Sequence, residues 1–220
     1  MKIGVIIAMD IEYHKMCETL GGTPYGSINS NEIVLWQCGI GKVNAAIGTM
    51  RLIEHHHPDC IISTGLAGGI DQSLSVMDVV VGSQTAYHDV WCGAGNEWGQ
   101  VQGLPIRFDA DCRLLCCAQN VSVANGRQAV AGLICTGDQF ITDKASLSEI
   151  KRRFPDALAC EMESAAIAHT CYLQQVPFLS IRVVSDTPGN TDDHQQQWTD
   201  FLSSMSDQSF HYVKRFLEQL

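Results

Sequence analysis

Positive charge is scarce in this chain: 14 lysines and arginines stand against 24 aspartates and glutamates, a formal net charge of −10 over 220 residues. An acidic molecule repels phosphate backbones and anionic lipid, so nucleic acid and membrane are not expected partners. No stretch approaches the ~20 apolar residues of a membrane-spanning helix. The run Ile3 to Ala8 is too short for the core of a secretory signal, and Asp10 and Glu12 follow at once. A soluble, cytoplasmic protein is expected. Paired cysteine motifs are missing too. Ten cysteines are present, yet none forms a C-x-x-C pair, and Cys38, Cys60, Cys135, Cys160 and Cys171 sit inside apolar runs. Reduced thiols packing as small hydrophobes fit that placement better than a disulfide framework or a zinc ribbon. Neither a Walker loop nor a G-x-G-x-x-G fingerprint occurs. His55, His56 and His57 are consecutive, and neighbours on a helix point in different directions, so they read as a solvated helix end rather than a metal cage. No metal or cofactor is expected.

What is present is an ordinary globular balance, 45% apolar and 17% charged residues, in a length that suits one domain over residues 1–220. Short apolar runs alternate with helical patterns. Strands are expected at Lys2–Ala8, Glu32–Gln37, Cys60–Thr64, Val76–Gln84 continuing toward Tyr87, Gln128–Thr136, Leu158–Met162 and Pro177–Ser185. Helices are expected from Asp10 to Gly21, Lys42 to His56, Asp109 to Asn120, Lys144 to Phe154, after Met162 to Gln174, and from Trp198 onward. Gly65 to Gly69 reads as a sharp turn, Trp91 to Phe108 as a long loop, and Thr187 to Gln197 as a polar loop. The class is α/β: a three-layer sandwich whose central mixed, twisted sheet is flanked by helices.

Ligand sites in such folds collect at strand ends. Four carboxylates stand there: Glu12, Glu161, Glu163 and Asp186. A bare buried carboxylate is costly, so each needs a reason. Capping a helix start is one reading for Asp10, Glu163 and Asp186; a site that divides acid and base labour is the other. Phe140, just past a strand, suits stacking on a flat base and equally suits core packing.

In order along the chain come Ile7-Ala8-Met9-Asp10-Ile11-Glu12, Gly39-Ile40-Gly41-Lys42-Val43, Thr64-Gly65-Leu66-Ala67-Gly68-Gly69, Tyr87-His88-Asp89, Thr136-Gly137-Asp138-Gln139-Phe140-Ile141, Glu161-Met162-Glu163 and Arg182-Val183-Val184-Ser185-Asp186. Together they resemble the methylthioadenosine/S-adenosylhomocysteine nucleosidases of the nucleoside phosphorylase superfamily, over nearly the whole length. The resemblance implies hydrolysis of a small adenosine thioether at its N-glycosidic bond. Asp186 is then the acid that protonates adenine at N7, and Glu12 activates the attacking water. Glu163 holds the ribose hydroxyls with Met162 beside the sugar, Phe140 stacks on the base, and the Ile141 backbone reads its edge. Arg182 and Ser185 flank the acid, with Glu161 nearby. Met9, Ile40 and Trp198 line the pocket for the 5′ substituent. A homodimer is implied, with the Trp91 to Pro105 loop and its two tryptophans crossing to the partner. Leu66 stands where the family often has a serine, and Ala94 replaces an aromatic. Three rivals stay open: a nucleosidase for another tail such as an aminofutalosine type, a purine nucleoside phosphorylase, and a non-catalytic nucleoside-binding protein.

Overall fold

Every residue of β1 (Lys2–Ile7) from Ile3 onward is buried, Gly4 included, because the sheet it enters is covered on both faces. Ile3, Val5 and Ile7 point to one side, into a core shared with Met16, Leu114, Val213 and Phe216. Ile6 points to the other, against Ala45, Leu52 and Ala165 to Ala168. This alternation, with helices supplying both cores, makes the fold a mixed α/β one with the sheet in the middle. The computed structural model describes residues 1–122, 129–188, 193–204 and 210–220.

After β1 come α1 (Asp10–Thr19), β2 (Tyr25–Ile28), β3 (Asn31–Gln37), α2 (Lys42–His56), β4 (Cys60–Gly69), β5 (Val79–Tyr87), β6 (Phe108–Asp109) and α3 (Cys112–Gln119). The second half adds β7 (Ala129–Thr136), α4 (Lys144–Arg153), β8 (Ala157–Glu161), α5 (Ser164–Gln174), β9 (Phe178–Asp186), α6 (His194–Ser204) and α7 (His211–Gln219). The sheet runs β2-β3-β1-β4-β8-β7-β5-β6, and β9 pairs parallel to β4 and antiparallel to β5. Strands β4, β8, β7, β5 and β9 therefore close into a ring, which the sequence did not foretell.

Several expectations change. The segment Gly65 to Gly69 is not a turn: β4 continues through it, paired with β9 and then β8. Strand β2 was not expected because it lies at the sheet edge, mostly exposed, without apolar alternation. Helix α3 starts three residues later than expected, where the Asp111 side chain accepts from the N–H groups of Arg113 and Leu114. The C-terminal helical region is two helices, the first beginning at His194 rather than Trp198. Gln128, expected to open β7, and residues 189–192 of the expected polar loop lie outside the described residues. His57 ends α2 in the left-handed conformation, and Trp36 packs on His55 and His56, so the histidine triplet is a helix end. All ten cysteines are free. Among the described residues, no helix is long and apolar enough to cross a membrane.

Candidate active site

A cavity of about 270 Å³ opens where β1, β4, β8 and β9 end. It is lined by Met9, Glu12, Ile40, Leu66, Phe140, Ile141, Glu161, Met162, Glu163, Ser185, Asp186 and Trp198, twelve of the residues singled out from the sequence. Arg182 is the exception and does not line it.

Glu12 owes its place to the abrupt passage from β1 into α1. It occupies the first turn, and its carboxylate reaches back to accept the Met9 N–H at 3.1 Å. The other oxygen accepts the Leu66 N–H from β4 at 2.8 Å. Glycine precedes Leu66 for a steric reason: Gly65 has φ +154°, and a Cβ there would stand 2.9 Å from Glu12 Oε1. Glu12 is 3% exposed, and burial raises its pKa above the ordinary carboxylate value against the pull of those two N–H groups and of Arg182.

Asp186 ends β9, also 3% exposed. The β4–β9 ladder slips between Ala67 and Gly68, so that Ala67 faces Val184 and Gly68 faces Asp186. Ser185 is the extra residue of this bulge, a device that re-aims side chains beside sites. Its hydroxyl donates to Asp186 Oδ1 at 2.6 Å and lies 3.2 Å from the Ala67 carbonyl.

The turn from β8 into α5 carries Glu161, Met162 and Glu163. Glu161 borders the cavity, yet its oxygens already accept from Thr136 Oγ1 (2.5 Å), the N–H groups of Glu163 (3.1 Å) and Ser164 (2.9 and 3.0 Å), and Arg182 (2.7 Å). Burial alone would raise its pKa; Arg182 and these donors outweigh burial and hold it below the ordinary value. Glu161 is thus a clamp on the turn rather than a spare base. Arg182 spends its donors on Glu161, Ser63 and Ser164, which keeps it behind the cavity wall. The sequence could not separate a substrate-facing arginine from this one, because either occupies the same strand. Glu163 heads α5 without capping it, and its Oε1 accepts the Gly41 N–H at 2.9 Å. Burial, then the neighbouring Glu161 charge, push Glu163 up to about 8.

Phe140 is 47% exposed and tilts against Trp198 with ring centres 5.5 Å apart, so it borders the cavity instead of joining the core. Sequence reasoning missed Ala8, Ala67, Gly68, Gln139, Cys160 and Pro188 as lining residues. Most are small residues beside flagged ones, where the only available signal is room for a ligand. Trp98, expected to reach a partner, is held at home: its Nε1 donates to the His88 carbonyl at 2.7 Å and Arg153 lies 3.2 Å over its ring. Trp91 stacks on it and remains 53% exposed.

Known proteins resemble this chain over its length. The phosphorylase superfamily profile matches residues 2–218. A nucleosidase from Neisseria meningitidis, solved with methylthio-immucillin-A, is 36% identical with a TM-score of 0.90, covering 100% of this chain and 99% of its own. One from Colwellia psychrerythraea, solved with adenine, is 36% identical with a TM-score of 0.91, covering 100% and 96%. One from Streptococcus pneumoniae, solved with a transition-state inhibitor, is 34% identical with a TM-score of 0.90, covering 100% and 99%. By these likenesses and by its ordered motifs, the chain belongs to the 5′-methylthioadenosine/S-adenosylhomocysteine nucleosidases of the phosphorylase superfamily.

Proposed function

We propose that this chain, as one unit over residues 1–220, hydrolyses the N-glycosidic bond of 5′-methylthioadenosine and S-adenosylhomocysteine, with Asp186 as acid and Glu12 as base. The observation that carries the assignment is the pair of buried carboxylates, each 3% exposed, on one cavity rimmed by the half-exposed Phe140. Adenine leaves poorly as an anion, so Asp186 delivers a proton to N7 as the bond to C1′ breaks. The sugar becomes oxocarbenium-like, as in other glycoside hydrolyses. Glu12 takes a proton from the water that attacks C1′. Burial, which raises its pKa, makes it a stronger base than a solvent-exposed carboxylate. Glu163 accepts from the ribose hydroxyls, Phe140 stacks on adenine, and Met9, Ile40 and Trp198 surround the 5′ tail. The products are adenine and the thio-substituted ribose.

A phosphorylase would need cationic or backbone donors for phosphate at the position of the water. The nearby arginine, Arg182, is committed to Glu161, Ser63 and Ser164, and Glu12 would repel the anion. Incubation of methylthioadenosine with the protein, with and without phosphate, tests the reading. Free methylthioribose at equal rates supports it; a phosphate-dependent sugar 1-phosphate, or no adenine at all, overturns it.

A homodimer accompanies this reading. Ile40, Val43 and Ile47 form an exposed stripe at and along the start of α2, and exposed Trp91 adds to the apolar surface. Light scattering at micromolar concentration checks it, and a monomer would refute it. Ten free thiols fit a reducing cytoplasm, where this turnover serves methionine salvage.

A further inference from the structure

Asp138, Asp89 and Lys42 lie outside the cavity lining and take no part in the chemistry above. They nevertheless tie its two binding regions together. The segment that ends in Phe140 and Ile141 begins with Gly137 and Asp138. Asp138 Oδ1 accepts the Lys42 N–H, at the first turn of α2, at 2.8 Å. The Asp138 N–H donates to Asp89 Oδ2 at 2.9 Å, and the same oxygen accepts Lys42 Nζ at 2.7 Å. Lys42 Nζ also stands 3.8 Å from Asp138 Oδ2. One residue earlier, the Gly41 N–H donates to Glu163 at 2.9 Å. Two consecutive N–H groups at one helix start are therefore divided between two carboxylates, Glu163 in the sugar region and Asp138 in the base-holding segment.

The geometry leaves little slack. Gly41 has φ +91°, a conformation that L side chains rarely adopt, and a Cβ there would meet Asp138 Oδ1 at 3.0 Å. The Gly-Ile-Gly-Lys sequence thus does more than start a helix: its second glycine lets Asp138 reach the next N–H.

We infer that Asp138 is a positioning residue that fixes the distance between the adenine-stacking segment and Glu163, acting through the start of α2. The inference rests on the assignment of Phe140 to the base and Glu163 to the ribose. A substrate gains from both regions only when they are held at the right spacing, and losing the tie adds an ordering cost to binding. The chemical step, set by Glu12 and Asp186, is left largely alone.

The test uses the full chain, with steady-state kinetics on methylthioadenosine, inhibition by adenine, and thermal melting. Asp138→Ala is expected to raise KM roughly fivefold, the size of one lost capping hydrogen bond, with kcat changed less than about twofold. Asp138→Asn keeps an oxygen for the Lys42 N–H and should restore most of the loss. Lys42→Met keeps that N–H and removes the ammonium, and should give a smaller rise in KM. Unchanged KM in Asp138→Ala overturns the inference. So does a fall in kcat and melting temperature without a KM effect, which is what a merely structural residue would show. Phe140→Ala is the control for the underlying assignment. If it leaves adenine inhibition unchanged, the base assignment itself fails, whatever Asp138 does. If it weakens adenine while Asp138→Ala does nothing, only the tie fails.

Discussion

Glu12, Glu163 and Asp186 are 3%, 8% and 3% exposed and stand where strands end, whereas Ile40 and Phe140, on the same cavity, are 50% and 47% exposed. Hydrogen bonds fix the first group: Met9 and Leu66 N–H on Glu12, Gly41 N–H on Glu163, the Ser185 hydroxyl on Asp186. The second group meets mainly by apolar contact, as in the Phe140–Trp198 pair between a loop and α6. Proton transfer needs donors held within a fraction of an ångström. A variable 5′ tail needs surfaces that can yield. On the proposed reading, one cavity meets both demands by using directional bonds on one wall and non-directional packing on the other.

Four measurements would break or sharpen this contrast. Asp186→Asn should give the largest effect, a kcat loss of about 10²–10⁴-fold with substrate still bound, because an amide cannot supply the proton. Near-normal turnover by a folded variant would remove Asp186 from the mechanism. Glu12→Gln should follow, on the order of 10²-fold in kcat, while inhibitor affinity stays within about tenfold, ~1.4 kcal/mol. Normal binding with normal hydrolysis would send the search for the base elsewhere, and the clamp formed by Glu161 makes that residue a poor successor.

On the yielding wall, Trp198→Ala should leave kcat nearly intact and raise KM several-fold, since only apolar contact is lost, about 1 kcal/mol for a partly buried ring. A fall in kcat comparable to that of Glu12→Gln would mean that α6 takes part in the chemistry and that the contrast is false. The smallest effect concerns stability. Glu163 has its folded pKa raised from 4.5 to about 8, so its proton favours the folded state. Its contribution is full below about 4.5 and is lost as pH rises through about 8. Ligand-free protein should therefore melt at progressively lower temperature across that window. Glu163→Gln should flatten part of the slope, by a few degrees; Glu12, shifted in the same direction, preserves the rest. Parallel melting curves for the two proteins would show that Glu163 is ionised in the empty enzyme.

Much of the rigid wall was legible in the sequence because carboxylates beside apolar runs are conspicuous on physical grounds. Their roles were less so. Glu161 and Glu163 are the same residue type two positions apart, and only the β7–β8 pairing, which brings Thr136 opposite Glu161, makes one a clamp and frees the other for the cavity. Gly65 to Gly69 looked like a turn because glycine is the usual turn residue. Here it is strand, paired with β9 and β8, and Gly65 is glycine because Glu12 packs so close to it that a side chain would intrude, a long-range demand that local propensity does not register. Trp98 looked free for a partner because its anchor, the His88 carbonyl, lies ten residues away in a segment read as strand end.

The slip at Ser185 makes the position of Asp186, the proposed acid, a matter of counting as well as of residue type. Side chains along a strand alternate between faces, and the one extra residue lets Ser185 and Asp186 both border the cavity. Insertions and deletions should therefore be tolerated very unequally along the chain. The long connection between β5 and β6 can change length without disturbing the ladder. Deleting Ser185, by contrast, would restore an unbroken ladder with the carboxylate still opposite Gly68, but strip from it the hydroxyl that donates to its Oδ1 and the step that lets two successive side chains border the cavity.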